Sequence, residues 1–109
     1  MKIDVEKFTY RVTWSEADAE FVATCAEFPS LSWLARRDVA ALQGLKKLVR
    51  TVVEDMLHRG EPVPVALSIR PYSGNFKVRI PPQLHRRLAT EAAEVGVSLN
   101  RLVSAKLAS

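Results

Sequence analysis

The sequence predicts an α+β fold with two parts, a strand-strand-strand-helix-strand domain at residues 1–71 and a strand-helix-helix domain at residues 72–109. Two alternating runs on either side of a polar turn indicate an N-terminal hairpin. One long helical pattern follows in the middle of the chain. An alternating run, two prolines and two short helical patterns make up the last third. At 109 residues, the chain has room for one modest domain or two very small ones.

The first domain begins with three predicted strands. Apolar and polar residues alternate over 8–14, and a polar turn at 15–19 leads to a second strand at 20–26. The Phe28-Pro29-Ser30 segment breaks the chain, and a third short strand is expected at 31–35. The first two strands should form a hairpin, because their turn is short and polar.

A single long helix is predicted after Asp38, a residue type that caps helix N-termini. Its buried stripe consists of apolar residues three or four positions apart: Leu42, Leu45, Val49, Val52, Val53 and Met56. Two basic residues and Gly60 close the helix, and Pro62 and Pro64 prevent its continuation. A fourth strand is expected at 65–69, before the joint between the domains.

The second domain begins with an alternating run at residues 75–80. One face of this run carries hydrogen-bonding side chains, Asn75, Lys77 and Arg79. The other face carries apolar side chains, Phe76, Val78 and Ile80. Pro81-Pro82 ends the strand and favours a helix start, because the fixed φ of proline suits a first turn whose N–H groups have no partner.

Two short helices should complete this domain. The first has an apolar stripe, which consists of Leu84, Leu88, Ala92 and Val95. Gly96 is expected to end it in the left-handed conformation, with Val97 as an apolar contact. Ser98 is an N-cap residue type, and the apolar positions of the second helix follow it: Leu99, Leu102, Val103 and Leu107.

Positive charge is concentrated in this last third. Residues 1–72 contain ten basic and ten acidic residues, whereas residues 73–109 contain six basic and two acidic residues, so the whole net charge of +4 lies there. Such a distribution is typical of a small unit that neutralises phosphates, especially if dimerisation doubles it. Arg86 and Arg87 are equally well explained as solvated helix charges without a partner.

The strand, double proline, helix, glycine and capped helix of residues 73–109 together resemble the ribbon-helix-helix DNA-binding family. The resemblance implies a dimer in which two strands pair into an antiparallel ribbon that enters the major groove. It places Asn75, Lys77 and Arg79 against base edges. Ser98, Leu99 and Asn100 would hold a phosphate of the DNA backbone at the start of the second helix. The dimer core would consist of Phe76, Val78, Ile80, Leu84, Leu88 and Leu102.

Other sequence features limit the classes of protein to which the chain can belong. The single Cys25 lies in an apolar run without spaced Cys or His partners, so a buried thiol in a reducing, cytoplasmic setting is expected, with no metal site. Residues 1–10 contain acidic residues where a signal peptide would be apolar. No apolar stretch approaches membrane-spanning length, and no motif indicates a cofactor.

The whole arrangement resembles the HicB-type antitoxins of bacterial toxin-antitoxin systems. The likeness rests on the N-terminal hairpin, Glu27-Phe28-Pro29 with Leu31, the helix ending at 60–64 and the C-terminal motif. The chain departs from the family after Phe-Pro, where members usually carry a Pro-Gly-Cys type turn. The resemblance implies a shortened RNase H-like N-terminal domain that blocks a HicA-type mRNA-cleaving toxin, and a C-terminal dimer that represses its own operon at the operator DNA.

Two other function classes remain open at this stage. A metal-dependent nuclease would need several carboxylates around two divalent ions, whereas the acidic residues here are scattered along the chain, so no catalytic residue is assigned. An ordinary ribbon-helix-helix repressor with a ligand-sensing N-terminal domain is the second alternative. The sequence contains no glycine-rich phosphate loop or cofactor lysine motif that would favour it.

Overall fold

The computed structural model describes residues 3–109 and confirms the α+β class. Its elements in chain order are a 3₁₀ turn at Val5–Lys7, strands β1 (Tyr10–Ser15), β2 (Glu20–Cys25) and β3 (Phe28–Ala35), and helices α1 (Asp38–His58), α2 (Pro82–Val95) and α3 (Leu99–Ala108). The chain forms two compact units, Met1–Tyr72 and Ser73–Ser109.

The N-terminal unit is an antiparallel three-stranded sheet in the order β1-β2-β3, with α1 packed on one face. Tyr10 pairs with Cys25 in β2, and Ala23 pairs with Trp33 in β3. Because side chains alternate along a strand, these residues lie on the face that α1 covers. The pairing between β2 and β3 shifts register between Thr24, which lies opposite Ser32, and Cys25, which lies opposite Phe28.

The core lies between α1 and the sheet. On the helix it consists of Ala41, Leu45, Val49 and Val53, all buried. The predicted apolar stripe of α1 is confirmed in part, because three of its members are buried and three are only half-buried: Leu42, Val52 and Met56. The buried Ala41 is not among the predicted residues. On the sheet and its flanking segments it consists of Val5, Phe8, Ala23, Cys25, Phe28 and Ala66. The rings of Phe8 and Phe28 pack edge to face, with centroids 5.4 Å apart. Burial raises the pKa of the Cys25 thiol, as expected of a thiol inside an apolar core.

The 3₁₀ turn is connected to the sheet and the helix through one aromatic residue. The Tyr10 hydroxyl donates to the Val5 carbonyl oxygen at 2.8 Å, and the Lys46 ammonium lies 5.5 Å from the centre of the Tyr10 ring. Lys46 also forms an ion pair with Glu6. Burial is the main reason that the pKa of the Tyr10 hydroxyl is raised. These contacts keep the N-terminal residues against α1.

A second polar cluster forms around the partly buried Glu27, in the turn between β2 and β3. Its carboxylate accepts hydrogen bonds from the Thr9 N–H at 2.9 Å, the Leu67 N–H at 2.9 Å and the Thr9 hydroxyl at 3.1 Å. Partial burial raises the pKa of this carboxyl, but the hydrogen bonds from Leu67 and Thr9 favour the charged form more strongly, so the pKa is lowered. The cluster therefore stabilises the fold above the unfolded-state pKa, and this contribution is lost as the pH falls through the lower folded-state value.

Several sequence predictions need correction. The predicted fourth strand at 65–69 is wrong: the Ile69 and Arg70 N–H groups both donate to the Ala66 carbonyl oxygen, so this segment forms a turn. The Phe28-Pro29-Ser30 segment belongs to β3, and the break lies at Ala26 and Glu27. Asp38 is the first residue of α1 and not its N-cap, a position that Arg37 occupies. The Asp38 carboxylate accepts the neighbouring Val39 N–H instead.

A glycine in α1 allows an indole ring to lie against the helix. A Cβ atom at Gly44 would overlap the Nε1 atom of Trp33, so Gly44→Ala forces this ring, which is 43% exposed, off α1. Losing roughly 100 Å² of apolar burial costs about 2.5 kcal/mol, whereas alanine improves helix propensity by only about 1 kcal/mol. We expect urea unfolding to show a net destabilisation of about 1–2 kcal/mol.

The control for this prediction is the same substitution in a Trp33→Ala background. With the indole removed, Gly44→Ala should stabilise the fold by about 1 kcal/mol, so the sign of the effect reverses within one double-mutant cycle. Stabilisation by Gly44→Ala in the presence of Trp33 would contradict the packing described here.

Candidate functional site

Residues 75–80 form an exposed segment of the C-terminal unit. Every residue of this segment is exposed, and the single chain forms no strand here, because the segment pairs with none of the three strands of the described residues. Phe76 is 75% exposed, Val78 is 65% exposed and Ile80 is 37% exposed. Asn75, Lys77 and Arg79 are exposed as well, and neither cation has a carboxylate partner within the described residues. Both predicted sets of side chains are thus accessible to solvent in the single chain.

Helix α2 begins and ends where the sequence predicts. Pro82 is its first residue, and the His85 N–H closes the first turn on the Pro81 carbonyl oxygen at 3.1 Å. Gly96 has φ of +83°, a conformation that glycine adopts without steric cost. The N–H groups of Gly96 and Val97 both donate to the Ala92 carbonyl oxygen, which closes the end of the helix.

Helix α3 follows after a connection of three residues. The Ser98 side chain accepts the Arg101 N–H at 3.1 Å, which confirms the predicted N-cap. The Leu102 N–H donates to the Ser98 carbonyl oxygen at 3.0 Å. Within the described chain, the N–H groups of Leu99 and Asn100 have no acceptor. Two backbone donors at the positive end of a helix dipole therefore remain free to bind an anion.

The two helices of this unit pack against each other over a small area. Ala92 is the one buried residue of Ser73–Ser109, at 3% exposure, and Leu84, Leu88 and Leu102 are half-buried. Val95, the last residue of the predicted α2 stripe, is exposed. An ion pair between Glu91 and Lys106 at 3.2 Å joins α2 to α3, and no sequence pattern indicates this contact. The assignment of a dimer core to the apolar residues of this unit stays a prediction.

Uncompensated positive charge characterises the unit. Lys106 uses its charge in the ion pair with Glu91, whereas the remaining cations have no ion-pair partner among residues 3–109: Lys77, Arg79, Arg86, Arg87 and Arg101. Cations without internal partners remain available to phosphate groups. The electrostatics of the unit therefore suit a polyanion.

Residues 3–72 of the N-terminal unit contain no comparable arrangement of functional groups. Among the described residues, no three His, Cys, Asp or Glu side chains come close enough together to hold a metal ion. A depression lined by Ile3, Asp4, Val5 and Arg50 is largely open to solvent. The hairpin acids have local partners: Glu16 accepts the Trp14 indole N–H at 2.6 Å, and Asp18 accepts the Ser15 hydroxyl at 2.8 Å. None of the helices in residues 3–109 combines the length and the apolar character needed to cross a membrane.

Comparison with known protein families gives one match. A family model described as HicB family matches residues 67–107, which is less than half of the 109-residue chain. Comparison with curated proteins and with solved structures gives no match. The chain is thus similar to the HicB family over nearly the whole C-terminal unit and the residues just before it, and residues 3–66 lie outside this similarity.

The exposed apolar face of residues 75–80 predicts that the full chain is a dimer. Val78→Asp should raise the dimer dissociation constant at least about 100-fold, because each partner would bury an unpaired carboxylate. Sedimentation equilibrium over a wide concentration range measures this change. Lys77→Ala is the matched control, because Lys77 is next to Val78 in the chain but belongs to the polar face. It should leave the measured mass of the dimer unchanged. A Val78→Asp chain that remains dimeric would place the interface elsewhere.

Proposed function

We propose that this chain is a HicB-type antitoxin. As a homodimer it binds operator DNA through residues 75–80 and α3 and represses its own operon, and its N-terminal unit binds and neutralises a HicA-type mRNA-cleaving toxin. The similarity of residues 67–107 to the HicB family supports an antitoxin role. The DNA-binding part of the proposal rests on the geometry and the charge of the C-terminal unit.

The observation that carries the proposal is the uncovered apolar face of Phe76, Val78 and Ile80. A unit of fewer than about 40 residues normally needs a second chain, a metal or disulfides to fold stably. This unit contains one buried residue and no cysteine. A second copy whose residues 75–80 pair antiparallel with the first would cover both apolar faces and satisfy the unpaired backbone groups.

Such pairing would create a polar surface suited to DNA. Alternation places Asn75, Lys77 and Arg79 on the face opposite the buried one, so two chains present six such side chains on one ribbon. A two-stranded ribbon fits the major groove, where arginine and lysine bind guanine and asparagine binds adenine. The free N–H groups of Leu99 and Asn100 would bind a phosphate and fix the ribbon in register.

Toxin binding is assigned to the N-terminal unit because that unit has its own core and no net charge. A neutral, independently packed unit has a surface distinct from the cationic one and can hold a second partner. The proposal assigns the toxin to this unit as a whole and to no individual residue.

Base reading and phosphate binding by the polar face can be separated with one substitution. Arg79→Ala should weaken binding to operator DNA by roughly 1–3 kcal/mol, because a side chain that reads a base carries discrimination between sequences. Binding to unrelated DNA of the same length should change much less. Fluorescence anisotropy at one fixed salt concentration measures both affinities, and Arg87→Ala is the matched arginine control. Equal reductions on both DNAs would mean that Arg79 binds the backbone or supports the fold.

The two proposed activities should be separable within the full chain. Lys77→Ala combined with Arg79→Ala should remove operator binding and leave the affinity for the cognate toxin unchanged. If either cation also binds a phosphate, the slope of log affinity against log salt should fall by about 0.9 for each phosphate that is no longer neutralised. The fragment Met1–Tyr72, once shown to be folded by circular dichroism, should bind the toxin without binding DNA. A full chain that binds the operator but no toxin would contradict the antitoxin role and leave only the role of a repressor.

A further inference from the structure

The Glu27 carboxylate joins parts of the N-terminal unit that are far apart in the chain. One of its oxygens accepts the Thr9 N–H, and the other accepts the Leu67 N–H from a residue 40 positions later. The Cys25 thiol lies 3.5 Å from the first oxygen. Both oxygens are therefore engaged with donors from different segments, so the carboxylate links the start of the sheet to the end of the unit.

The segment at 66–72 has few other attachments. Ala66 is buried in the core, and the Ser68 hydroxyl donates to the Lys7 carbonyl oxygen at 2.6 Å. The Tyr72 hydroxyl donates to the Leu67 carbonyl oxygen at 3.0 Å, a contact within the segment itself. Residues 68–72 are all exposed, and the boundary between the two compact units follows Tyr72. Leu67 and Ser68 thus carry the polar attachment of this segment.

We infer that Glu27 is a positioning residue that fastens the segment at 66–72 to the N-terminal unit and so fixes the point at which the connection to the C-terminal unit begins. This segment occupies the place where the sequence predicts a fourth strand. Without a strand ladder, its attachment depends on a side chain. When the hydrogen bond from Leu67 to Glu27 is lost, the connection between the units begins at residue 67 instead of residue 73 and is therefore longer.

The hydrogen bonds are divided unequally between the two carboxylate oxygens. The oxygen that accepts the Leu67 N–H also accepts the Thr9 hydroxyl at 3.1 Å and the Thr9 N–H at 3.2 Å, whereas the other oxygen accepts the Thr9 N–H at 2.9 Å. Glutamine offers one acceptor oxygen and one NH₂ group. In a Glu27→Gln chain, the amide oxygen should take the first of these two places, because it then keeps more donors, so Leu67 retains an uncharged acceptor. Glu27→Ala removes the acceptor of Leu67 altogether.

Amide hydrogen exchange of the full-length chain tests this inference residue by residue. Glu27→Ala should speed exchange at Leu67, Ile69 and Arg70 by about tenfold or more, because a hydrogen bond to a charged acceptor is removed, and Glu27→Gln should speed exchange there by a smaller factor. Exchange at the buried Leu45 and Val49 in α1 should change less than exchange at these three amides. Ser68→Ala, which removes the neighbouring attachment, should increase exchange at the same three amides by a smaller factor.

Glu54→Ala is the matched control, because Glu54 is an exposed carboxylate on α1 and the substitution changes the net charge equally. It should leave exchange at 67–70 at the level of the unsubstituted chain. Unchanged exchange at Leu67, Ile69 and Arg70 in the Glu27→Ala chain would overturn the inference. An equal increase in α1 would overturn it too, because Glu27 would then stabilise the unit as a whole. Dimerisation or DNA binding need not occur for either outcome to be observed.

Discussion

The main constraint on the C-terminal unit is the apolar face of residues 75–80, which the single chain leaves exposed. Residues 75–80 alternate strictly, so an extended backbone separates apolar from cationic side chains. Both helices are short, and their shared contact buries one alanine. The same alternation that gives residues 75–80 a polar face leaves their apolar face exposed in the single chain. Folding, association and DNA recognition in this unit are, in the proposed function, consequences of one sequence pattern.

The N-terminal unit differs from the C-terminal unit because it buries apolar residues in a core of its own. Small residues bring α1 close to the sheet: Ala23 and Ala41 are completely buried, and Gly44 lies under the Trp33 ring. Close approach of a helix to a sheet increases the number of dispersion contacts per residue. With its core complete and its charges balanced, this unit does not depend on the C-terminal unit for burial.

Regular, local features could be predicted from the sequence, whereas long-range polar contacts could not. The α1 stripe, the Gly96 terminus and the Ser98 cap depend on neighbours within a few positions, so their residue types are informative. The strand expected at 65–69 has suitable residue types, but no sequence pattern reveals that its backbone is held by Glu27 from 40 positions away. Alternation alone predicts a polar and an apolar face for residues 75–80, and both are exposed in the single chain. Its role as a DNA-reading surface depends on a partner chain and stays a prediction.

The irregularity in β3 has a consequence for the behaviour of the protein at high local concentration. Cys25 and Thr24 are neighbours in β2, yet their partners Phe28 and Ser32 are separated by three residues in β3, one of which is Pro29. A bulge and a proline interrupt the row of donors and acceptors on the outer edge of the sheet, and such interruptions discourage pairing with the edges of other molecules. In the proposed dimer, an interrupted edge of this kind would limit pairing between the sheets of neighbouring N-terminal units.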